Sequence, residues 1–206
     1  MCPRRYCPKK RQAAAEETRG RILAAARELL MAGGNFTGFT IDAVAEQAGV
    51  ARMTVYYQFG SKAGLLESLC DSLAARGQLE RLGAAFGQPD PRAALAEFVA
   101  AFGRFWSCDR LVLRRLRGLA ALDPDFERVI RGRDEWRRDG LRALVGRLAG
   151  ARPLATPQAP EATVNVLWTL TSFETFDALA GTAGSPEEVV PLVRWLVWTA
   201  LGLDEK

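Results

Sequence analysis

The chain has 206 residues, 49% of them apolar and 25% charged, enough to bury a substantial core in one large domain or two small ones. No run of 18 or more uncharged apolar residues occurs, and the basic start is not followed by an apolar stretch, so neither a membrane span nor export is expected. Histidine is absent, which excludes a His-ligated metal and a Ser-His-Asp triad, and Cys2, Cys7, Cys70 and Cys108 are too few and too scattered for a secreted disulfide scaffold. The net charge of +4 is unevenly spread: residues 1–65 carry ten Lys/Arg against five Asp/Glu, and residues 66–206 carry eighteen against nineteen.

Residues 1–12 hold Pro3, Pro8 and a basic cluster (Arg4, Arg5, Lys9, Lys10, Arg11) with little apolar content, the composition of a disordered arm. Two readings stay open for it: a solvated tail, or an arm that reaches a groove or phosphates of a nucleic acid. Cys2 and Cys7 within it are read as inert thiols or as oxidation-sensitive ones. A first helix is predicted over 13–32, with Ile22, Ala26, Leu29 and Leu30 on one face and Gly33, Gly34 and Asn35 ending it. Phe36 and Phe39 are expected to close a small core.

The stretch 40–62, TIDAVAEQAGVARMTVYYQFGSK, is the most informative. Thr40 is an N-cap, and Ile41, Val44, Ala45 and Ala48 recur at helical spacing. Gly49 stands where the backbone must turn through a positive φ, and Val50 is expected to fill the angle. A second short helix follows over 51–59, with Val55 and Phe59 facing inward. That is a helix-turn-helix, whose second helix is shaped for a DNA major groove. Its remaining residues suit the task. Arg52 can bond guanine O6 and N7, and Thr54, Tyr56 and Tyr57 carry hydroxyls for phosphate oxygens, with Gln58 also facing out. Lys62 follows Ser61, a predicted cap, and adds charge to the positive end of the next helix. Adjacent tyrosines point about 100° apart on a helix, so both cannot be buried in so small a unit.

These residues, continued as FTIDAVAEQAGVARMTVYYQFGSKAGLLESL, resemble the DNA-binding signature of the TetR family of bacterial transcriptional repressors. The resemblance implies phosphate contacts by Tyr56, Tyr57 and Lys62, aided by Thr40 and Thr54, with Arg52 and Met53 against base edges. Two positions depart from the pattern. Met53 stands where small or polar residues are usual, leaving a thymine-methyl contact or simple packing, and Ala63 replaces a frequent acidic residue.

Beyond Ser61, Leu65, Leu66, Leu69 and Leu73 mark a fourth helix, and 76–89 is ambiguous. Asp90-Pro91 and Asp123-Pro124 each open a clear helix with proline in its first turn. Between them lies a helix over 111–122. The helix after Asp123 carries Trp136 among its apolar residues and a dense charged face (Arg131, Arg133, Asp134, Arg137, Arg138, Asp139) read as solvated. Three prolines make 151–160 a loop. Two strongly apolar helices close the chain over 161–180 and 186–203, the second opening on a Ser185-Pro-Glu-Glu188 capping box. Helices apolar nearly all round must be covered on several sides. The resemblance implies that they pair with a second copy across a two-fold axis, and Val164, Leu167, Val193, Leu196 and Val197 are the interface candidates; burial inside a monomer is the other reading.

The expected fold is all-α with about nine helices: a basic arm (1–12), a helix-turn-helix DNA-binding domain (13–60) and a helical ligand-binding and dimerisation domain (61–206). The functional reading is a cytoplasmic, homodimeric repressor of the TetR type, nucleoid-associated when bound, holding a palindromic double-stranded operator and released by a small hydrophobic effector. Candidate pocket residues are Phe98, Phe102, Phe105, Trp106, Trp136, Trp168, Thr171, Phe173 and Thr175, with Asn165 and Glu174 as further polar groups. No cofactor or metal and no enzymatic activity is expected, since there is no Gly-rich phosphate loop and no metal-ligand spacing. An activator, or a helical protein-interaction module without an inducer, are the alternatives.

Overall fold

A computed structural model describes residues 8–32, 38–151, 159–182 and 184–203. The predictions for Cys2 and Cys7, for residues 1–7 of the arm, for Gly33, Gly34, Asn35 and Phe36, and for most of the proline-rich loop lie outside the described residues. Every regular element among the described residues is helical, and there are eleven α-helices rather than about nine. The chain divides into two compact units, Met1–Ser72 and Leu73–Lys206.

The first unit contains α1 (Pro8–Met31), α2 (Ile41–Ala48), α3 (Arg52–Phe59) and most of α4 (Lys62–Arg76). The first helix starts five residues before the expected position, because proline is tolerated in a first turn, where its missing N–H costs nothing. Ile22, Ala25, Ala26 and Leu30 of α1 are buried together with Ile41, Val44, Val55, Phe59, Leu65 and Leu69. Apolar residues thus meet from all four helices, which is what lets two eight-residue helices persist. Arg19 adds a polar tie. Its guanidinium lies 4.4 Å from the Phe59 ring centroid and donates to the Gln58 carbonyl at 3.1 Å and to Ser68 Oγ at 2.7 Å.

The second unit holds a 3-10 turn (Leu79–Arg81), α5 (Leu82–Phe86), α6 (Pro91–Cys108), α7 (Arg110–Ala120), α8 (Pro124–Ala151), α9 (Pro160–Leu170), α10 (Phe173–Ala180) and α11 (Val190–Ala200). Asp90 caps α6 by accepting from the Arg92 and Ala93 amides, with Pro91 opening the helix. Leu95, Phe98, Val99 and Phe102 of α6 form the centre of the core. Gly103 marks a close crossing, since a Cβ there would come within 2.2 Å of Val190 Cγ2.

The helix expected over 161–180 is two helices. Thr171 returns its hydroxyl to the Leu167 carbonyl at 2.8 Å. Ser172 is extended, and its side chain accepts the Thr175 amide to start α10. The helix expected from 186 begins at Val190. The capping box does form, with Ser185 N–H donating to Glu188 Oε2 at 3.0 Å and Glu188 N–H to Ser185 Oγ at 3.3 Å, but it closes a turn that precedes α11.

The charged face of α8 is only partly solvated. Exposed pairs such as Arg128 with Asp125 and Arg131 with Glu127 fit the expectation. Arg137 does not: it is 1% exposed. Among the interface candidates, Val164, Leu167, Val193 and Val197 are buried within their own unit, and Leu196 is half-buried. The large apolar side chains left outward on α9 and α11 are Val166, Leu192 and Trp195, the last 47% exposed. These outward residues, rather than the interface candidates, are what the two helices leave on the surface.

Candidate nucleic-acid interface

The interface starts from two caps. Thr40 is extended and its Oγ1 accepts the Ala43 amide at 3.1 Å, which leaves its own proton free to be donated. At the other end of α2, Gly49 adopts φ 62° and ψ 41°, and Val50 N–H reaches back to the Ala45 carbonyl at 3.0 Å. This left-handed stop turns the chain directly into α3. Val50 is half-buried in the angle.

Val55 and Phe59 hold α3 to the core, so its opposite face is presented to solvent. That face carries Tyr57 at 83% and Met53 at 72% exposure, one turn apart. So large an exposed ring gains nothing from burial in the free protein, and an exposed aromatic beside an exposed Met is the signal of a surface made for a partner. Arg52 and Tyr56 form a second i,i+4 pair beside them. Arg52 donates to Asp42 Oδ2 at 2.9 Å and to the Tyr56 hydroxyl at 3.3 Å, and lies 5.6 Å from the Tyr56 ring centroid. The Tyr56 hydroxyl first, and then the Asp42 charge, raise the Arg52 pKa further, so the guanidinium is a fixed positive charge. Thr54, Tyr56 and Gln58 are half-buried.

The third piece is the start of α4. Ser61 Oγ accepts the Gly64 amide at 3.0 Å, as a cap must, and places Lys62 at the first helical position. Gly64 makes the α3–α4 corner possible, since a Cβ there would meet the Phe59 carbonyl oxygen at 2.1 Å. Thr40 and Lys62 thus sit at two helix starts, where free amides and aligned peptide dipoles favour anions. Arg19, Asp42 and Gly64 were not singled out from the sequence. Gly64, three residues after a capping serine, was the legible one; the contacts of Arg19 and Asp42 are tertiary.

In the second unit, seven of the nine pocket candidates lie together. Phe98, Phe102, Phe105, Trp106 and Phe173 form a continuous series of ring contacts, with centroids 4.5–6.3 Å apart. Trp106 Nε1 donates to the Thr171 carbonyl at 3.1 Å, and Trp168 Nε1 to the Asp134 carbonyl at 3.2 Å. Thr175 is committed elsewhere, its hydroxyl donating to the Thr169 carbonyl at the α9–α10 corner. Trp136 stands apart from the others: it is 54% exposed on α8, because the buried phase of that helix at this level is taken by Arg137. Asn165 accepts from Arg138, and Glu174 pairs with Arg117. A groove of about 360 Å³ opens between α7 and α10, lined by Arg114, Arg117, Gly118, Phe173, Glu174, Asp177 and Ala178.

Residues 22–69 match the family model described as bacterial regulatory proteins, tetR family. Among curated proteins, the HTH-type transcriptional regulator SrpR of Pseudomonas putida is 42% identical over 64 residues, which is 31% of this chain and 30% of SrpR. The chain therefore spans under a third of that relative's length. Likeness of fold is much broader. NalD of Pseudomonas aeruginosa, the secondary repressor of the MexAB-OprM multidrug efflux pump, aligns at a TM-score of 0.67 and 20% identity over 91% of this chain and 97% of its own. A TetR transcription regulator from Haloarcula marismortui aligns at a TM-score of 0.65 and 20% identity, again over 91% and 97%. The helix-turn-helix is thus matched in sequence to the TetR family over residues 22–69, and the helical architecture as a whole is matched in fold to NalD and to a solved TetR transcription regulator.

Proposed function

We propose that the protein is a homodimeric repressor that holds a palindromic operator through residues 40–62 and is released by a small hydrophobic ligand bound in its C-terminal unit. The observation that carries the DNA-contact part is the outward face of α3, where Arg52, Met53 and Tyr57 stand exposed on a helix anchored from behind by Val55 and Phe59. Arg52 and Met53 read base edges; Tyr56, Tyr57 and Lys62, with Thr40 and Thr54, contact phosphates and set the register. Dimerisation is supported by the apolar residues that α9 and α11 leave outward, Val166, Leu192 and Trp195. Two copies related by a two-fold axis require an inverted-repeat site with half-sites spaced by the helical turn of DNA. Release needs only that the ligand prefer the conformation that does not bind DNA. Such a protein acts in the cytoplasm, and no helix among the described residues is long and apolar enough to cross a membrane.

Selection of genomic fragments bound by the purified chain tests the operator claim directly. Enrichment of one inverted repeat, with sedimentation showing two copies per fragment, is the expected result; fragments without dyad symmetry would refute the dimeric reading. A screen of apolar metabolites and drugs by thermal shift and gel shift tests release, and no change in operator affinity across the screen would refute it.

A further inference from the structure

Arg137 on α8 is the most buried ionisable side chain among the described residues, at 1% exposure. Only one of its terminal nitrogens is fully used: Nη1 donates to the Trp168 carbonyl at 2.6 Å and to Thr171 Oγ1 at 2.8 Å. Nε and Nη2, the edge that binds a carboxylate with two parallel bonds, meet no hydrogen-bond acceptor. The acid facing Nη2, Asp134, stands off at 3.5 Å, because its two oxygens are gripped by Arg117 at 2.9 and 3.3 Å. Desolvation drives the Arg137 pKa down to about 10, with the Asp134 charge partly restoring it and Arg117 opposing, so the side chain is still cationic at neutral pH. A buried cation with an open bidentate edge is rare in folded proteins and calls for an explanation.

The surroundings supply one. The guanidinium carbon lies 5.2 Å from the Trp168 ring centroid and 5.8 Å from that of Phe102. The ion-pair group that holds Arg137 is balanced, Arg117 and Arg137 against Asp134 and Glu174, while a second group between α7 and α10 sets Arg110 and Arg114 against Asp177 alone. Arg117 belongs both to the Arg137 group and to the wall of the groove between α7 and α10. Phe173, also in that groove, meets Trp106 edge-on at 5.6 Å.

We propose that Arg137 is the anion-reading residue of the C-terminal unit, and that the effector is a small organic monocarboxylate with an apolar or aromatic body. Its carboxylate takes the Nε/Nη2 edge, and its body lies against Phe102, Trp106 and Trp168. This rests on the reading that the C-terminal unit receives a small hydrophobic ligand, and narrows that ligand to one charge type. A neutral molecule of the same shape leaves the fork unanswered.

The test measures binding to the full chain without DNA, by tryptophan fluorescence and calorimetry. The probes are decanoate and indole-3-acetate, each beside its own primary amide. The wild type is expected to bind at least one acid ten-fold or more tightly than the matching amide. Arg137→Gln should remove that preference, Arg137→Lys should keep part of it, and Arg114→Gln, at an exposed position of the groove, should leave it unchanged. Equal binding of acid and amide, binding of neither acid, a preference that survives in Arg137→Gln, or one abolished in Arg114→Gln would each overturn the proposal. Should Arg137→Gln fail to fold, the wild-type pairs and Arg137→Lys still decide. Gel shifts done separately keep this apart from the repressor reading: acids that bind through Arg137 without weakening operator binding would refute ligand release while leaving the anion site intact.

Discussion

Replacing Gly64 by alanine sets two effects of known size against each other. In an open helix interior, alanine is favoured over glycine by about 0.8–1 kcal/mol. At Gly64 the added Cβ would lie 2.1 Å from the Phe59 carbonyl oxygen, with the Phe59 carbonyl carbon at 3.3 Å. Ordinary contact needs about 1 Å more, and the oxygen is fixed because it ends α3 and accepts the Ser61 amide at 2.9 Å. Relieving the clash therefore moves α3 against α4, a distortion of the kind that costs about 1–3 kcal/mol. The clash outweighs the alanine gain over most of this range, and a net loss of up to about 2 kcal/mol is expected, about 8–16 °C in Tm at the upper end for a unit of this size. Because Ser61 and Lys62 sit at the displaced corner, operator affinity should fall as well. Gly20→Ala is the matched control: it lies on α1 in the same unit with nothing within 4 Å of the added carbon, and should raise stability by about 0.5–1 kcal/mol. Thermal and urea melts of the three proteins, followed by gel shift, provide the assay. A Gly64→Ala protein as stable as Gly20→Ala would refute the claim that the α3–α4 corner needs glycine.

Arg19→Met should cost about 1–3 kcal/mol in urea melts, because it removes two hydrogen bonds and a cation–π contact that tie α1 to α3 and α4. Met53→Ala touches nothing buried and should change stability by less than about 0.5 kcal/mol, yet alter base preference when operator variants are compared by competition gel shift. Trp195→Asp should shift the sedimentation coefficient toward a monomer at micromolar concentration while leaving helical circular dichroism unchanged. Asp177 supplies a pH test. Burial acts to raise its pKa, but the hydrogen bonds from Arg114 and Arg110 outweigh it and the net shift is downward. Its contribution is therefore complete above the unfolded value of about 3.9 and disappears as pH falls through the lower folded value. Melts between pH 5 and 2 should show Asp177→Asn losing less stability on acidification than the wild type.

The parts of this fold that were legible in the sequence are those determined by near neighbours. Thr40, Gly49 and Val50 act through bonds to residues a few positions away, so cap, stop and turn could be read from the string, and with them the outward face of α3. The start signals at Asp90-Pro91 and Asp123-Pro124 worked for the same reason. Phase was harder wherever a helix is apolar on several faces. Val164 and Val166 look equivalent in sequence, but only packing against α8 and α11 decides that the first is buried and the second exposed. The break at Thr171 and Ser172 was hidden inside an apolar run, although Ser172 and Glu174 carried a helix-start signal. Arg137 looks solvated because its neighbours in sequence are charged; its actual surroundings come from α6 and α9, more than thirty positions away in the chain.

The central claim is that the outer face of α3 and the start of α4 hold DNA, with Lys62 on a phosphate. The salt dependence of operator binding tests it most directly. For a dimer, Lys62→Ala should weaken binding and reduce the slope of log K against log salt by roughly two, about 0.9 for each phosphate that is no longer neutralised. Tyr57→Ala should weaken binding to operator and to unrelated duplex by similar factors. Unchanged affinity and unchanged slope in both variants, with folding intact, would contradict the account.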